Sequence, residues 1–305
     1  MTNTATEIDL GPTHVTLPIA DQLLHSTIRI ECVDAIGQKS SGTGFHFRFR
    51  IDDQWVPAII TNKHVLNGAK DIAFVLTLAD DKGGRSDTHE RIGISDLGPA
   101  WIPHPNQNVD LALLPIQPLL GHLHSLKKHP FYIDLAKEVI PSAEQFQQLS
   151  SVEEITMIGY PNGIWDDFNN RPIARRGITA TACNRNYLGQ EQFLVDAAVF
   201  PGSSGSPVFI FNQGAYSDGS GITLGGRLWF IGVIYAVHLH TALGQIETIV
   251  APTSVQQMAF SQIPNNLGIC IKASKVLEFE PAIRQRIAEQ QSKARPSTGP
   301  NRLGA

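Results

Sequence analysis

A chain of 305 residues, of which 42% are hydrophobic, is long enough to bury one large core or two medium ones. Its formal net charge of −4 argues against nucleic acid or an anionic membrane as a partner. Three cysteines, Cys32, Cys183 and Cys270, are widely separated and odd in number, which argues against a disulfide framework and favours a reducing, cytoplasmic location.

Targeting signals are not evident in the sequence. The first lysine or arginine is Arg29, so the basic start of a signal peptide is not evident. The longest apolar stretch, residues 228–237, is about half as long as a membrane span requires. We therefore expect no membrane contact.

The first half of the chain predicts an arm followed by a β-barrel. Residues 1–21 are polar and largely aperiodic, as expected of an N-terminal arm, and the barrel is predicted over 22–125. Its strands are indicated by short runs rich in β-branched and aromatic residues, bounded by Gly, Asp, Asn or Pro: TIRIECVDAI, GTGFHFRFRI, WVPAIITNKHVL, DIAFVLTL and DLALLPI.

The second half predicts another barrel between two helical segments. Residues 126–152 are expected to link the halves, with a short helix over 141–151 that begins near its proline. Strand-like runs then resume and predict a second barrel over 153–273. Residues 274–305 are expected to form a helix, with a cap at Ser274 and a break or kink at Pro281, followed by a disordered tail. Because closed barrels remove exposed strand edges, the predicted fold is all-β, with two packed six-stranded antiparallel barrels and a C-terminal helix.

Three residues in separate strand-edge contexts have the chemistry of a catalytic triad. Ser204 lies in FPGSSGSPVFIF, a stretch whose glycines and serines exceed the needs of a turn. A serine nucleophile needs a base, and His64 ends an apolar strand in AIITNKHVLNGA. Asp110, in NQNVDLALLPI, is a lone carboxylate at the start of an apolar strand, where burial without a partner is costly.

Five segments resemble the trypsin/chymotrypsin-like serine peptidases, and most of all their bacterial HtrA/Deg-type branch: SGTGFHF, IITNKHV, VDLALLPI, IGYPNG and DAAVFPGSSGSPVF. The resemblance covers roughly residues 27–275 and implies chymotrypsin-like Greek-key barrels. It implies that Ser204 attacks the scissile carbonyl, His64 acts as general base and then acid, and Asp110 fixes the histidine tautomer. The backbone N–H groups of Gly202 and Ser204 would form the oxyanion hole.

The sequence also departs from the family pattern. Ser203 replaces the aspartate that pairs with a freed N-terminus in secreted relatives, so that activation route is not expected. Ser206 replaces a second glycine, which we expect to change little. Because only about 30 residues follow the second predicted barrel, we do not expect the PDZ module that is usual in HtrA proteins.

The family pattern also implies a pocket for the substrate side chain before the cleaved bond. No implied pocket position is acidic, and Val237 stands where broader pockets have glycine, so we expect cleavage after small or medium apolar residues. The implied substrate-binding residues are Ala198, Val199, Phe200, Tyr235, Val237, Gly268 and Cys270.

Two functions remain open from the sequence. The first is an active cytoplasmic endopeptidase that acts on polypeptides and is restrained until a protein partner or stress signal orders its loops, for example 160–177. The second is a protease-like binding or scaffold protein whose triad is inactive without a partner. No cofactor is expected. The HLH pairs at 122–124 and 238–240, interpreted as strands, lack a third metal ligand, and Arg175–Arg176 is interpreted as a solvated turn.

Overall fold

The computed structural model describes residues 17–217, 221–246 and 257–294, and the predicted tail after 294 lies outside them. The predicted arm falls largely outside as well, although its last residues belong to helix α1 (Ile19–Leu24). Within the described ranges no helix is both long and apolar enough to cross a membrane.

The N-terminal half is a seven-stranded antiparallel sheet that stays open. It consists of β1 (Thr27–Asp34), β2 (Lys39–Ile51), β3 (Gln54–Thr61), β4 (Ala69–Ala79), β5 (Arg85–Ile94), β6 (Ile102–Pro103) and β7 (Ala112–Pro115), with the short helix α2 (Lys63–Leu66) after β3. The strand order is β5-β4-β1-β2-β3-β7-β6.

The open sheet corrects the prediction of a closed six-stranded barrel in this half. Closure would require the end strands β5 and β6 to pair, and no such pairing occurs in the described residues. Strand β6 has only two residues, and its Pro103 lacks the N–H that a further ladder bond would use.

Several elements of this half were missed in the sequence, and strand β5 and helix α3 are the longest of them. Strand β5 is partly exposed along its length, so it lacks the apolar alternation that marks a half-buried strand. Residues Gln117–Ser125, which contain the first HLH pair, form helix α3 and not a strand. In α3 only Leu123 is buried, and His122 and His124 are exposed on either side of it.

The C-terminal half forms a closed six-stranded barrel, with the strand order β10-β15-β14-β11-β8-β9. Helix α4 (Ala143–Gln147) precedes it and is capped by Ser142, which accepts a hydrogen bond from the backbone N–H of Gln145. Beside the barrel, β12 (Ala215–Ser217) and β13 (Ile222–Leu224) form a separate hairpin. The barrel strands are β8 (Glu154–Gly159), β9 (Ile173–Thr179), β10 (Gln192–Asp196), β11 (Pro207–Asn212), β14 (Arg227–Ile246) and β15 (Gln257–Lys272).

One apolar core joins the two halves. Phe45 and Phe47 from β2 belong to the same buried cluster as Phe209 and Phe230 from the barrel. The rings of Phe45 and Phe230 meet edge to face with centroids 5.2 Å apart. Loops from both halves are therefore held next to each other at this boundary.

Two helices close the described chain. Helix α5 (Ser274–Leu277) starts after Ala273 with no side-chain cap, so Ser274 is its first residue and not its cap. The helical structure is interrupted at residues 278–279. Helix α6 (Glu280–Ala294) then begins one residue before Pro281, consistent with the expected break. Phe279 and Ile283 pack into the core shared by the two halves.

Candidate functional site

His64 and Asp110 meet at one end of the N-terminal sheet. His64 lies in helix α2. The next two residues, Val65 and Leu66, are buried, whereas the His64 side chain is 49% exposed. Its Nδ1 lies 2.5 Å from Asp110 Oδ2, and its backbone N–H donates to Asp110 Oδ1 at 3.1 Å. Two contacts to one carboxylate fix the ring and leave Nε2 pointing away from the acid.

The loop that carries Asp110 is held from three sides. Asn62 Nδ2 donates to the Asp110 carbonyl at 2.7 Å, and Lys63 Nζ donates to the Asn106 carbonyl at 3.1 Å. His104 Nδ1 accepts from the Asn106 N–H at 3.1 Å, so its Nε2–H donates to the Lys275 carbonyl at 3.0 Å. Burial lowers the pKa of His104, which favours this neutral tautomer. The sequence analysis missed His104 because its partner is 171 positions away.

The Ser204 loop depends on two glycines with positive φ. Gly202 has φ +87°, and a Cβ there would lie 2.6 Å from the Tyr160 carbonyl oxygen. Gly205 has φ +89°, and a Cβ there would lie 1.9 Å from the Thr43 carbonyl oxygen. Both positions need a residue without a side chain, as the sequence indicated for a backbone that makes close approaches.

Ser204 is partly exposed, and the loop presents unused donors beside it. Within the described residues, the N–H groups of Gly202 and Ser204 have no hydrogen-bond acceptor, although the N–H groups of Ser203, Gly205 and Ser206 are all bonded. Two unpaired neighbouring N–H groups are the arrangement that an oxyanion hole needs.

Thr43 and Thr61 connect the Ser204 loop to the turn that carries His64. The Thr43 N–H donates to the Ser204 carbonyl at 2.8 Å, and Thr61 Oγ1 donates to the Thr43 carbonyl at 2.7 Å. No hydrogen bond joins Ser204 Oγ to His64 within the described part of the chain. Such bonds are often long without substrate and shorten when it binds.

Ser203 takes no part in an ion pair. It is fully buried, and its hydroxyl accepts a hydrogen bond from the Phe200 N–H at 3.3 Å. The position that holds an aspartate in secreted relatives therefore makes a local bond within the same loop.

The implied pocket residues divide between an accessible group and a buried group. Ala198, Phe200, Tyr235 and Val237 are partly exposed. Val199 and Cys270 are 2% and 0% exposed in the core of the barrel, and a Cβ on Gly268 would meet Val199 at 2.7 Å. Side chains alternate along a strand, so Gly268 and Cys270, both in β15, face the core. Val199 follows strand β10 and is buried next to Gly268, so these side-chain positions do not line an open pocket.

Arg175, which the sequence analysis interpreted as part of a turn, lies in strand β9 beside the pocket segment. Its Nη1 donates to the Ala198 carbonyl at 2.9 Å, and its guanidinium lies 5.0 Å from the Phe200 ring centroid. Arg175 forms no ion pair with a carboxylate in the described residues, whereas its exposed neighbour Arg176 pairs with Glu154. A partly buried cation without a counter-ion therefore adjoins the expected pocket.

Metal-ligand clusters are lacking in the described ranges, where no group of three or more His, Cys, Asp or Glu could hold an ion. The second HLH pair lies within strand β14, and its side chains fall outside the described residues.

Comparison with known proteins shows that the chain is similar to peptidases. A glutamyl endopeptidase of Staphylococcus epidermidis is 29% identical over 152 residues, which are 50% of this chain and 46% of that protein. The match thus spans about half of the relative. Among solved structures, the HtrA-type protease AlgW, solved as a variant with a tripeptide, is similar at a TM-score of 0.46 and 15% identity, over 87% of this chain and 62% of that one. The active form of the Rv3671c protease of M. tuberculosis has a TM-score of 0.42 and 14% identity, over 88% of this chain and 84% of that one.

The family match lies over the region that carries the site. The trypsin-like peptidase domain matches residues 42–215, which contain His64, Asp110 and Ser204. Since this is more than half of the chain, the protein belongs to the family of trypsin-like peptidase domains.

Proposed function

We propose that the chain is a serine endopeptidase in which Ser204, His64 and Asp110 act as one unit. The observation that supports this most directly is the two-contact pairing of His64 with Asp110, with Nδ1 2.5 Å from Oδ2, at the boundary where the Ser204 loop lies. The oriented imidazole can act as the base, and the serine hydroxyl can act as the nucleophile. The unpaired N–H groups can bind the oxyanion.

In the proposed reaction, Ser204 Oγ attacks the scissile carbonyl carbon and His64 Nε2 takes the hydroxyl proton. The carbonyl oxygen becomes an oxyanion that accepts hydrogen bonds from the Gly202 and Ser204 N–H groups. His64 then gives its proton to the leaving amine, and water hydrolyses the acyl-serine by the same steps. Asp110 stabilises the imidazolium through Nδ1–H without taking its proton.

Hydrolysis of unfolded casein tests the activity. Ser204→Ala and His64→Ala should each reduce the rate by several orders of magnitude, and the double variant should be barely worse than either, because the residues act together. Ser125→Ala and His122→Ala, exposed substitutions on α3, are matched controls that should keep the full rate. Wild-type protein that binds casein without cutting it would support the alternative, a protease-like scaffold that is inactive without a partner.

For specificity, we propose cleavage after small or medium apolar residues such as Ala, Val, Ile or Leu. Ala198, Tyr235 and Val237 remain accessible, and none of them offers a carboxylate to a basic substrate side chain. A buried unpaired charge is unfavourable, whereas apolar pockets discriminate weakly. The preference should therefore be graded.

A second candidate is cleavage after acidic residues. It is favoured by Arg175, which lies against Ala198 and Phe200 and has no carboxylate partner among the described residues. The relative from S. epidermidis is by name a glutamyl endopeptidase. A substrate carboxylate at this point would give Arg175 a counter-ion.

A mixed peptide library distinguishes the two specificities. Under the apolar proposal, cuts follow Ala, Val, Ile or Leu, and Arg175→Gln leaves the ranking unchanged. Under the acidic alternative, cuts follow Glu or Asp, and Arg175→Gln removes that preference while the exposed Arg176→Gln does not. Dominant cleavage after Lys or Arg would contradict both.

We also propose that a protein partner controls the site through residues 160–177, in the cytoplasm. Arg85 Nη2 donates to the Asn169 carbonyl at 3.3 Å, and the Asn162 N–H donates to the Pro201 carbonyl at 2.6 Å, so the loop links the N-terminal sheet to the residue before Gly202. Phe168, 86% exposed, is available to a partner. The three unpaired, buried cysteines suit a reducing compartment. The purified chain should therefore have a basal activity that the partner raises, and full activity of the purified chain alone would contradict the need for a partner.

A further inference from the structure

Part of the connection between β8 and β9 covers one face of the N-terminal sheet. We call residues 164–171 the covering loop. Asn170 Nδ2 donates to Thr77 Oγ1 of β4 at 3.0 Å, and the guanidinium carbon of Arg29 in β1 lies 5.5 Å from the centroid of the Trp165 ring. Because neighbours of Thr77 in β4 face the apolar core, Thr77 points to the opposite face. The covering loop and this face of the sheet therefore enclose a layer of polar side chains.

Two arginines from opposite sides of this layer have unused donors. Arg85 of β5 donates from Nη2 to the Asn169 carbonyl at 3.3 Å and pairs through Nη1 with the exposed Asp87, but its Nε is buried without a hydrogen-bond partner. Arg171, the last residue of the covering loop, has a buried Nη1 that is also without a partner in the described residues. Both side chains are partly exposed, so the layer is open to solvent at its rim.

The charge of Arg171 lacks a counter-ion. Neither Asp21 nor Asp166 forms an ion pair with it in the part of the chain that the structure describes. Burial and, next, the charge of Arg85 lower the pKa of the Arg171 guanidinium, and the two carboxylates only partly oppose these effects. A partly buried cation in this state is costly to the fold.

His25 adds a buried neutral donor to the layer. It is 6% exposed, and its Nε2 has no hydrogen-bond partner among the described residues. Its ring packs edge to face on Phe131, with centroids 4.9 Å apart, and the Phe131 N–H donates to the Thr77 carbonyl at 2.7 Å. Burial, with the charges of Arg171 and Arg85, lowers the pKa of His25 from 6.5 to about 3, so the imidazole is neutral.

His89 lies in the same layer. It is directly opposite Thr77 in the pairing of β4 with β5, and opposite residues share a face of the sheet. Both of its ring nitrogens are buried without a partner in the described ranges. Water can accept the hydrogen bonds that these nitrogens and the arginines offer, but water does not neutralise the charge of Arg171. The layer therefore suits an anion that accepts several hydrogen bonds.

We propose that the layer between the covering loop and the sheet binds a small oxyanion of the phosphate class, held by Arg171, Arg85 and His25. Guanidinium groups match the spacing of phosphate oxygens and form charge-assisted hydrogen bonds with them. A neutral imidazole can donate a further N–H. The anion supplies the missing counter-ion of Arg171 and joins this loop residue to Arg85 of the sheet.

A bound oxyanion should also act on the catalytic site, and this part of the inference rests on the proposed endopeptidase function. The segment that leads into the covering loop contacts the nucleophile loop, because the Asn162 N–H donates to the Pro201 carbonyl at 2.6 Å. Pro201 directly precedes Gly202, whose N–H belongs to the proposed oxyanion hole. An anion that fastens the covering loop should therefore raise the rate of cleavage severalfold.

Titration calorimetry with inorganic phosphate, at constant ionic strength, tests the site. The wild-type protein should bind one phosphate per chain. Arg171→Gln should weaken binding by about tenfold or more, because hydrogen bonds to charged groups contribute most. Arg171→Lys, which keeps the charge but loses the planar fork, should fall between the two. Arg50→Gln, at an arginine that is 66% exposed, is the matched control and should bind as the wild type does.

Thermal unfolding excludes a misfolded variant as the cause. Without phosphate, Arg171→Gln should melt no lower than the wild type, because the substitution removes an unpaired charge. With saturating phosphate, the wild type should melt several degrees higher and the variant should not, since only a bound ligand stabilises the folded state. Phosphate should also slow hydrogen exchange in residues 164–171 of the wild type.

The outcomes separate the site from the function. No phosphate binding by the wild type, or equal binding by Arg171→Gln, would overturn the site. Phosphate binding that leaves both hydrogen exchange in the covering loop and the cleavage rate unchanged would overturn the coupling to the catalytic site. Phosphate binding with slowed exchange, by a protein that cleaves no peptide, would overturn the proposed endopeptidase function and leave the site supported.

Discussion

Thr43 of the N-terminal sheet binds the backbone of Ser204 in the C-terminal half, with its N–H 2.8 Å from the Ser204 carbonyl. Its hydroxyl donates to the Gly202 carbonyl at 2.9 Å and accepts from the Tyr160 N–H at 3.1 Å. One residue of the histidine-bearing half therefore positions both residues whose N–H groups form the proposed oxyanion site.

Thr43→Val keeps the shape of the side chain and removes these two hydroxyl bonds. We expect kcat to fall by about ten- to a hundredfold with little change in KM, because the N–H groups of Gly202 and Ser204 lose their alignment. Steady-state kinetics on a short peptide measures this. Thr27→Val is the matched control, since the buried Thr27 hydroxyl has no hydrogen-bond partner in the part of the chain that the structure describes. Equal kinetics of both variants would contradict the positioning role.

Gly205→Ala should abolish activity and destabilise the fold, because its Cβ would lie 1.9 Å from the Thr43 carbonyl oxygen. Gly37→Ala has a similar positive φ of +85° but nothing within 4 Å of the added methyl group. It should cost only about 1–2 kcal/mol of unfolding free energy, from backbone strain. Urea unfolding compares the two, and similar losses would mean that the close approach is unimportant.

Asp134 should make the protein less stable as the pH rises. Burial raises its pKa from 3.8 to about 7, partly opposed by the charge of Arg48. Because the folded state holds the proton more tightly than the unfolded state, stability is lost as pH rises from about 4 to about 7 and then levels off.

Asp134→Asn removes that dependence. The unfolding free energy of the variant minus that of the wild type should increase between about pH 4.5 and about pH 7, as measured by denaturant unfolding at several pH values. Asp53→Asn, at a fully exposed side chain, is the control and should give a flat difference. A flat difference for Asp134→Asn as well would contradict the raised pKa.

Glu153 and Arg227 form a buried ion pair, with both side chains 7% exposed and Oε2 2.5 Å from Nη2. Glu153→Gln should cost about 3–5 kcal/mol, because it leaves the arginine charge buried without a counter-ion. The neighbouring exposed pair of Glu154 and Arg176 offers a control in which Glu154→Gln changes stability little. Equal effects at the two positions would show that burial does not decide the cost.

Residues whose local pattern is strong were predictable from the sequence. Strands β1 to β4 are rich in β-branched and aromatic residues, and the segments around His64, Asp110 and Ser204 carry recognisable motifs. Strand β5 was missed because an exposed end strand needs no alternation. The predicted closure of the first sheet was wrong because pairing between its end strands depends on a distant two-residue strand.

The contacts around the site were less predictable. Some residue pairs come together only when the barrel has formed, for example Thr43 with Ser204 and Arg175 with Ala198. The local sequence around each residue does not encode such a pair. Val199 and Cys270 were assigned to the pocket from sequence position, but both side chains belong to the buried core of the barrel. The extension of β14 beyond Val237 was not predicted, because it is defined by pairing with β15.

Labelling with a fluorophosphonate probe tests the central claim most directly, since the probe reacts only with an activated serine beside a formed oxyanion hole. Peptide mass mapping should find one probe adduct on Ser204 of the wild-type protein, and labelling should vanish in Ser204→Ala and His64→Ala but persist in Ser125→Ala. An unlabelled wild-type protein, or an adduct on another serine, would contradict the assignment of Ser204, His64 and Asp110 as a working triad.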